Sequence, residues 1–196
     1  MKKFNEQMEK ESKAIFGDRR VVCGDGKINA EIMLIGEAPG GEEEKQGRPF
    51  VGKAGKNLNE FLEIVGLERS DLYVSNVVKL RPYKLSPKTN KPINRPPNKE
   101  ELEFFVPLLH REIDIVKPKL IVTLGNFALK NVLMNQKVSI GDYHGKLVEN
   151  QDKRIFPLYH PASIIYDRAK EPVYIEDLHK LKEILWEKSI YYWQLF

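Results

Sequence analysis

Four short, nearly continuous apolar runs limit what this chain can fold into: EIMLIG (31–36), LYVSNVV (72–78), LIVTLG (120–125) and RIFPLYH (154–160). A strand with one wet face alternates apolar and polar residues, whereas unbroken runs of this length fit strands buried on both faces. Stretches of helical period lie between them. In AGKNLNEFLEIVG, Leu58, Phe61, Leu62 and Val65 recur at helical spacing, and Gly66 is placed to end the helix. In NKEELEFFVPLLHREIDIVKP, Asn98 and Glu101 form a capping pair, and Pro118 follows just past the end. NFALKNVLM follows Gly125, and Ile175, Leu178, Leu181 and Leu185 mark a last amphipathic stretch. This alternation predicts a single three-layer α/β/α domain over 1–196, built on a central, mainly parallel four-stranded sheet.

Composition narrows the partners. No apolar run approaches bilayer-spanning length, and the opening MKKFNEQMEKESKAIFG lacks the apolar core of a secretory signal, so a cytoplasmic chain without membrane contact is expected. One cysteine, Cys23, rules out an intrachain disulfide and a metal site made of this chain's cysteines alone. The four histidines show no paired ligand spacing, so no metal is expected. The net charge is only +4, but the segment Lys79–Lys99 holds seven basic residues, five prolines and no acid. Proline at that density excludes a regular helix or a central strand. The segment reads as an extended cationic loop, either a solvated connector or an arm that contacts phosphates through Lys84, Lys88, Lys91 and Arg95.

In open α/β sheets ligands bind beyond the carboxyl ends of the strands. Three of the four strands end in polar residues: Glu37 follows IMLIG, Asn76 lies late in LYVSNVV, and His160 closes FPLYH. The glycine-rich stretch Gly36–Gly55 invites a phosphate reading, but it lacks both the dinucleotide GxGxxG and the Gly-Lys-Ser/Thr of a P-loop. Glu42, Glu43 and Glu44 would also repel phosphate there. There is no GxSxG elbow, and Cys23 has no histidine near it in sequence, which argues against covalent hydrolysis. What remains suits a flat polar heterocycle. Phe50 offers a stacking face, Asn76 a donor beside an acceptor, His160 a donor to oxygen, and Glu37 a carboxylate for water. An asparagine amide matches the O4/N3 edge of uracil and mismatches cytosine, which would leave buried polar groups unpaired. Each residue also has a plainer reading: Phe50 as core, Asn76 as a strand-end cap, His160 as a turn residue before Pro161.

The blocks GEAPGGEEEKQGRPFVGKAGKNL, LYVSNVVKLRP, NRPPNKEE, KPKLIVTLGNFA and YHPASII resemble, in order and spacing, the iron–sulfur type of uracil-DNA glycosylase, called family four. The resemblance runs from about Val21 to about Leu181. It implies a glycosylase that removes uracil, the product of cytosine deamination, from single- or double-stranded DNA in base-excision repair; no lysine is placed as a Schiff-base nucleophile, so a monofunctional enzyme is expected, and a monomer is the default. Under it Glu37 would position or activate the attacking water, and Ala38 and Pro39 would shape the pocket floor. Phe50 would stack on the extruded uracil, Asn76 would read O4/N3, and His160 would hydrogen-bond O2. Ser163, Ile164 and Ile165 would probe the space the nucleotide leaves. Two alternatives stay open: a non-catalytic reader of uracil-DNA, and a glycosylase for another deaminated base such as hypoxanthine.

The chain also departs from that pattern. The family's cluster takes four cysteines, yet Leu80 and Phe105 stand at the third and fourth positions, no cysteine precedes Cys23, and Cys23 itself falls at an apolar position. No cluster is expected, with Leu80 and Phe105 packing into its space. Gly41 replaces an acidic residue and Tyr166 a basic one, so Arg168 would take over a phosphate contact.

Overall fold

The apolar runs form the middle of one sheet. The computed structural model describes residues 1–193, with all their side chains except those of Ala54, Ile165, Tyr166 and residues 187–193. The chain order is α1 (Lys2–Phe16), β1 (Asp25–Gly26), β2 (Ile32–Gly36), α2 (Gly41–Gln46), α3 (Lys53–Val65), β3 (Leu72–Asn76), β4 (Tyr83–Leu85), β5 (Pro92–Asn94), α4 (Lys99–Val116), β6 (Leu120–Leu124), α5 (Asn126–Val132), α6 (Ile140–Tyr143), β7 (Val148–Asn150), β8 (Lys153–Leu158), α7 (Pro161–Tyr166) and α8 (Glu171–Trp193).

The sheet order is β1-β3-β2-β6-β8-β7, with β3, β2, β6 and β8 parallel and the two outer strands antiparallel. Six strands therefore replace the four expected. The additions, two and three residues long and partly exposed, carry no apolar run by which to be recognised. Of the four parallel strands, β2, β3 and β6 are buried along their whole length, and β8 is buried over its last four residues. Alternate side chains serve opposite layers. Met33, Ile35, Tyr73 and Ile121 pack with α1, α4 and α5, while Leu34, Val74, Val122 and Phe156 pack with α3 and α8. Among the described residues no helix is long and apolar enough to cross a membrane.

Register brings the strand ends level. Gly36 pairs with Asn76, Ile35 with Thr123 and Leu124 with Leu158, so Gly36, Asn76, Leu124 and Leu158 form one row across the sheet. Glu37 and His160 lie just beyond that row, at the same mouth as Asn76.

The Lys79–Lys99 segment is more structured than a loop. Its middle folds into the antiparallel ribbon β4–β5, exposed on both faces. Its first residue does not belong to a cationic surface at all. Lys79 is fully buried, its Nζ 2.6 Å from Glu112 Oε2 and from Ser75 Oγ, and it also donates to the Asn76 carbonyl. Helix α1 lacks a sequence forecast of its own, but Phe4, Met8 and Ser12 form its buried stripe at four-residue spacing.

Candidate active site

The glycine-rich stretch owes its composition to two side chains that it must wrap closely. Glu43, in α2, is buried and accepts hydrogen bonds from the Gly40 amide (3.1 Å) and the Gly52 amide (2.8 Å), clasping both ends of the loop. Glu44 pairs with Arg81 at 3.2 Å, and Glu42 with Lys45 on the surface. Two of the three acids thus brace the loop, and only Glu42 faces solvent. Phe50 is the second centre. Its backbone has φ 53°, in the left-handed region. Arg69 holds it there by donating to the carbonyls of Phe50 (2.8 Å) and Pro49. A Cβ at Gly55 would stand 2.1 Å from the Phe50 carbonyl oxygen, and one at Gly36 2.6 Å from both Phe50 Cζ and Asn76 Oδ1. Glycine is needed at both positions so that Phe50 and Asn76 can meet.

Two adjoining hollows open at the strand ends. The larger, about 440 Å³, is walled by Phe50, Asn76, His160, Ala38, Lys53 and Asn94 among others. The smaller, about 220 Å³, holds Glu37 with Pro39, Pro82 and Arg95, and shares Ala38, Asn94 and His160 with the first. The structure therefore brings Phe50, Asn76 and His160 together and sets Glu37 in the next compartment, with the imidazole between. Asn76 is 3% exposed, and no other described side chain hydrogen-bonds its amide. Phe50 and His160 present nearly parallel rings, 26° apart with centroids at 6.4 Å.

The His160 imidazole is set for donation. It caps α7, with Nδ1 accepting the Ala162 amide at 3.1 Å. A backbone N–H can only donate, so Nδ1 is unprotonated and the neutral ring carries its proton on Nε2. Burial lowers its pKa and favours that neutral form. The neighbouring turn is tied down by Ser163 Oγ, which donates to the His160 carbonyl (2.7 Å), and by Asn57, which donates to Pro161 O (3.2 Å). Burial pushes the Glu37 carboxyl above the ordinary glutamate range.

The residues expected to meet DNA divide into several groups. Lys84, Lys88, Lys91 and Arg168 are exposed. Arg95 instead forks onto Glu101, with both contacts at 2.8 Å, and its Nε donates to Tyr83 O at 3.1 Å, which fastens the hairpin base. Ser163 braces α7 and Ile164 packs partly into the core. The side chains of Ile165 and Tyr166 lie outside the described residues. Sequence reading missed Asn94, which reaches both hollows from the hairpin. Its Oδ1 accepts Arg81 Nε at 2.9 Å, which leaves the amide nitrogen as the free donor. It also missed Glu43 and Arg69, whose partners are backbone groups, and the arginines Arg19 and Arg95 that converge on the capping residue Glu101.

The residues present do not fit a four-thiolate cluster. Leu80 and Phe105 are wholly buried, and Phe105 stacks on Phe16 (5.9 Å) and meets Phe104 edge-on (4.8 Å). Cys23 lies beside Glu9, Sγ to Oε1 3.6 Å, and its thiol is pushed up to about 12, first by burial and then by Glu9. Such a thiol stays protonated and makes a poor metal ligand. Among the described residues no three His, Cys, Asp or Glu side chains converge on a metal-sized site.

Comparison with known proteins agrees with this geometry. The family model described as the Uracil DNA glycosylase superfamily matches residues 23–187. A Type-4 uracil-DNA glycosylase of Sulfurisphaera tokodaii is 43% identical over 171 residues, covering 83% of this chain and 74% of that protein. One of Saccharolobus solfataricus is 40% identical over 180 residues, covering 88% and 79%. One of Thermotoga maritima is 38% identical over 168 residues, covering 84% and 83%.

Proposed function

The chain belongs to the uracil DNA glycosylase superfamily, and from that premise we propose that it is a monofunctional uracil-DNA glycosylase that hydrolyses the N-glycosidic bond of uracil in DNA for base-excision repair, with no iron–sulfur cluster. A stacked base is out of reach, so the nucleotide is extruded, at a cost of a few kcal/mol that is least for mispaired or single-stranded uracil. The base enters the larger hollow and stacks on Phe50. Asn76 donates to O4 and accepts from N3–H, and His160 Nε2–H donates to O2. The sugar lies toward the smaller hollow, beside Glu37.

As the C1′–N1 bond breaks, its electron pair passes to the uracil ring, where charge collects on O2 against the His160 donor. One such preplaced donor is typically worth about 3 kcal/mol, or about a hundredfold in rate. The water oxygen adds to C1′, and the Glu37 carboxylate takes the proton. The uracil anion then gains a proton and Glu37 gives one up, which leaves free uracil, an abasic sugar and the carboxylate ready for another turnover. Among the described residues no lysine lines the smaller hollow, and Lys53 stands in the wall of the larger one. That placement supports simple hydrolysis without an amine adduct on the sugar.

The observation that carries this reading is the division of labour across His160. Phe50 and Asn76 line one hollow, Glu37 lines the adjoining one, and both are lined by His160, whose neutral ring carries its proton on Nε2. The test is release of free uracil from a U·G oligonucleotide by the wild type, Glu37→Ala and His160→Ala. Loss of release in both variants is expected. Full rates in both would overturn the assignment, and tight binding without release by the wild type would make the chain a reader of uracil. A parallel oligonucleotide containing hypoxanthine measures base preference.

A further inference from the structure

The β4–β5 hairpin displays apolar side chains that the described residues leave largely open to solvent. Leu85 is 54% exposed, Ile93 41% and Tyr83 38%. A two-stranded ribbon alone is marginal in water, and this one is held at its base by polar contacts. Arg95 N donates to Pro82 O (3.1 Å), Arg95 Nε to Tyr83 O, and Arg81 to both Asn94 and Pro92 O. Arg19 and Arg81 both lie over the Tyr83 ring at 5.8 Å. The tip closes on itself through Ser86 N–H to Lys91 O (2.9 Å). The exposed apolar residues are therefore carried on a braced element.

Pairing fixes which way they face. Tyr83 opposes Asn94, Lys84 opposes Ile93, and Leu85 opposes Pro92. Side chains directly opposite share a face and alternate along the strand. Since Asn94 lines the two hollows, Leu85 and Pro92 lie on that same site-facing side, two residues farther out, with Lys84 and Ile93 on the other. Two strand residues span about 7 Å, roughly two stacked nucleotide steps at about 3.4 Å each. The lysines at and near the tip, Lys84, Lys88 and Lys91, have no carboxylate partner among the described residues, and no acid interrupts the segment from Lys79 to Lys99. Apolar side chains flanked by unpaired cations match a nucleic-acid strand, whose bases and sugars are apolar-faced and whose phosphates are anionic.

We propose that the hairpin is a second DNA-probing finger: Leu85, backed by Pro92, packs against a nucleotide within two steps of the extruded one, while Lys84, Lys88 and Lys91, on long flexible stems that reach past the ribbon's edges, hold the flanking phosphates. This rests on the glycosylase reading for its substrate. The finger and α7 then approach the distorted strand from two elements of the same mouth.

The experiment uses the full chain and a duplex containing non-cleavable 2′-fluoro-deoxyuridine, with the fluorescent base 2-aminopurine one or two positions to either side. Wild-type binding should raise the fluorescence on one side as that base unstacks. Leu85→Ser should abolish the rise and weaken binding about fivefold, what burying roughly half a leucine side chain is worth, with an unchanged salt slope. Ile93→Ser, on the far face, should leave both readouts alone. Neutralising Lys84, Lys88 and Lys91 together should lower the salt slope by about 3 yet keep the rise at saturating protein. Because Leu85 is exposed, its variant should melt with the wild type. Unchanged affinity and fluorescence in Leu85→Ser would overturn the proposal, as would no rise with wild type, or a dimer that Leu85→Ser splits. Neither readout needs uracil release, so a chain that shows the rise without excising uracil loses the glycosylase reading and keeps the finger.

Discussion

At Glu37 burial and chemistry pull in opposite directions. Burial holds the carboxyl above the ordinary glutamate range, yet the carboxylate is the form that accepts the proton of water. Excision should therefore fall as pH drops through that raised value, giving an acid limb above the ordinary glutamate pKa of about 4.3. Glu37→Gln should remove the limb and slow excision by about 10²-fold or more. Stability responds with the opposite sign. A group whose pKa is raised in the folded state stabilises the fold below its unfolded pKa and loses that contribution as pH rises through the folded value. At neutral pH the ionised Glu37 thus costs stability, and Glu37→Gln should melt higher than wild type, the gap closing toward pH 4. A variant that melts lower at pH 7 would mean that Glu37 is not a dehydrated carboxylate. Gly36 gives a second residue-scale test. A methyl there would meet Phe50 and Asn76 at 2.6 Å, so Gly36→Ala should fold but lose uracil binding, read as a large rise in KM. A wild-type KM in that variant would place the base elsewhere.

At the scale of elements, one carboxylate fastens three pieces of chain. Glu101 accepts from the Asn98 amide at the start of α4, from Arg19 in the strand-ward segment after α1, and from both Arg95 guanidinium nitrogens at the return of the hairpin. Burial works to raise its pKa, but hydrogen bonds from Arg95, the Asn98 amide and Arg19 outweigh it and hold the carboxyl below its usual range. A depressed pKa contributes stability above the unfolded value and loses it as pH falls through the folded one. Glu101→Gln should cost roughly 3 kcal/mol near neutral pH by leaving two guanidinium groups short of their partner. The loss should shrink toward acid, and the hairpin should become easier for protease to cut. A change within about 0.5 kcal/mol would demote the node to an ordinary surface pair. Only half of this element was legible in the sequence. The Asn98–Glu101 cap is local, so spacing revealed it, while Arg19 sits 82 residues away and is invisible to any periodicity. The same holds elsewhere. Buried parallel strands announce themselves by apolar runs, whereas β1 and β7 are too short and too exposed to do so. Three consecutive glutamates look alike in sequence, and only the fold separates Glu43, clasping Gly40 and Gly52, from Glu44 on Arg81 and Glu42 in solvent. Lys79 reads as the start of a cationic run because nothing local reveals Glu112 beneath it.

Across the whole molecule, the N-terminal helix, the hairpin arm and α4 must be joined for the mouth to keep its shape, and the means of joining them is carried by ordinary side chains. Phe16, at the end of α1, packs edge-on to Phe104 (5.4 Å) and stacks on Phe105 of α4, with Leu80 buried in the same core at the start of the arm. The Arg19–Glu101–Arg95 bracket lies beside this apolar join. A cluster would do the same work through four iron–thiolate bonds, and would make the fold depend on metal supply and redox state. On the proposed cluster-free reading the join is made by burial, so its strength should follow packing alone. Phe105→Ala should cost about 3–5 kcal/mol, as truncation of a fully buried aromatic side chain does, and should lower activity mainly by unfolding. Purified protein should be colourless, and prolonged treatment with an iron chelator or a mild oxidant should leave both the melting temperature and the excision rate unchanged. A brown preparation, or a fall in either quantity on chelation, would mean that metal holds these elements together by some route other than the four family positions. If neither occurs while Phe105→Ala melts far below wild type, packing of Phe16, Phe104 and Phe105 suffices to hold these elements together without metal.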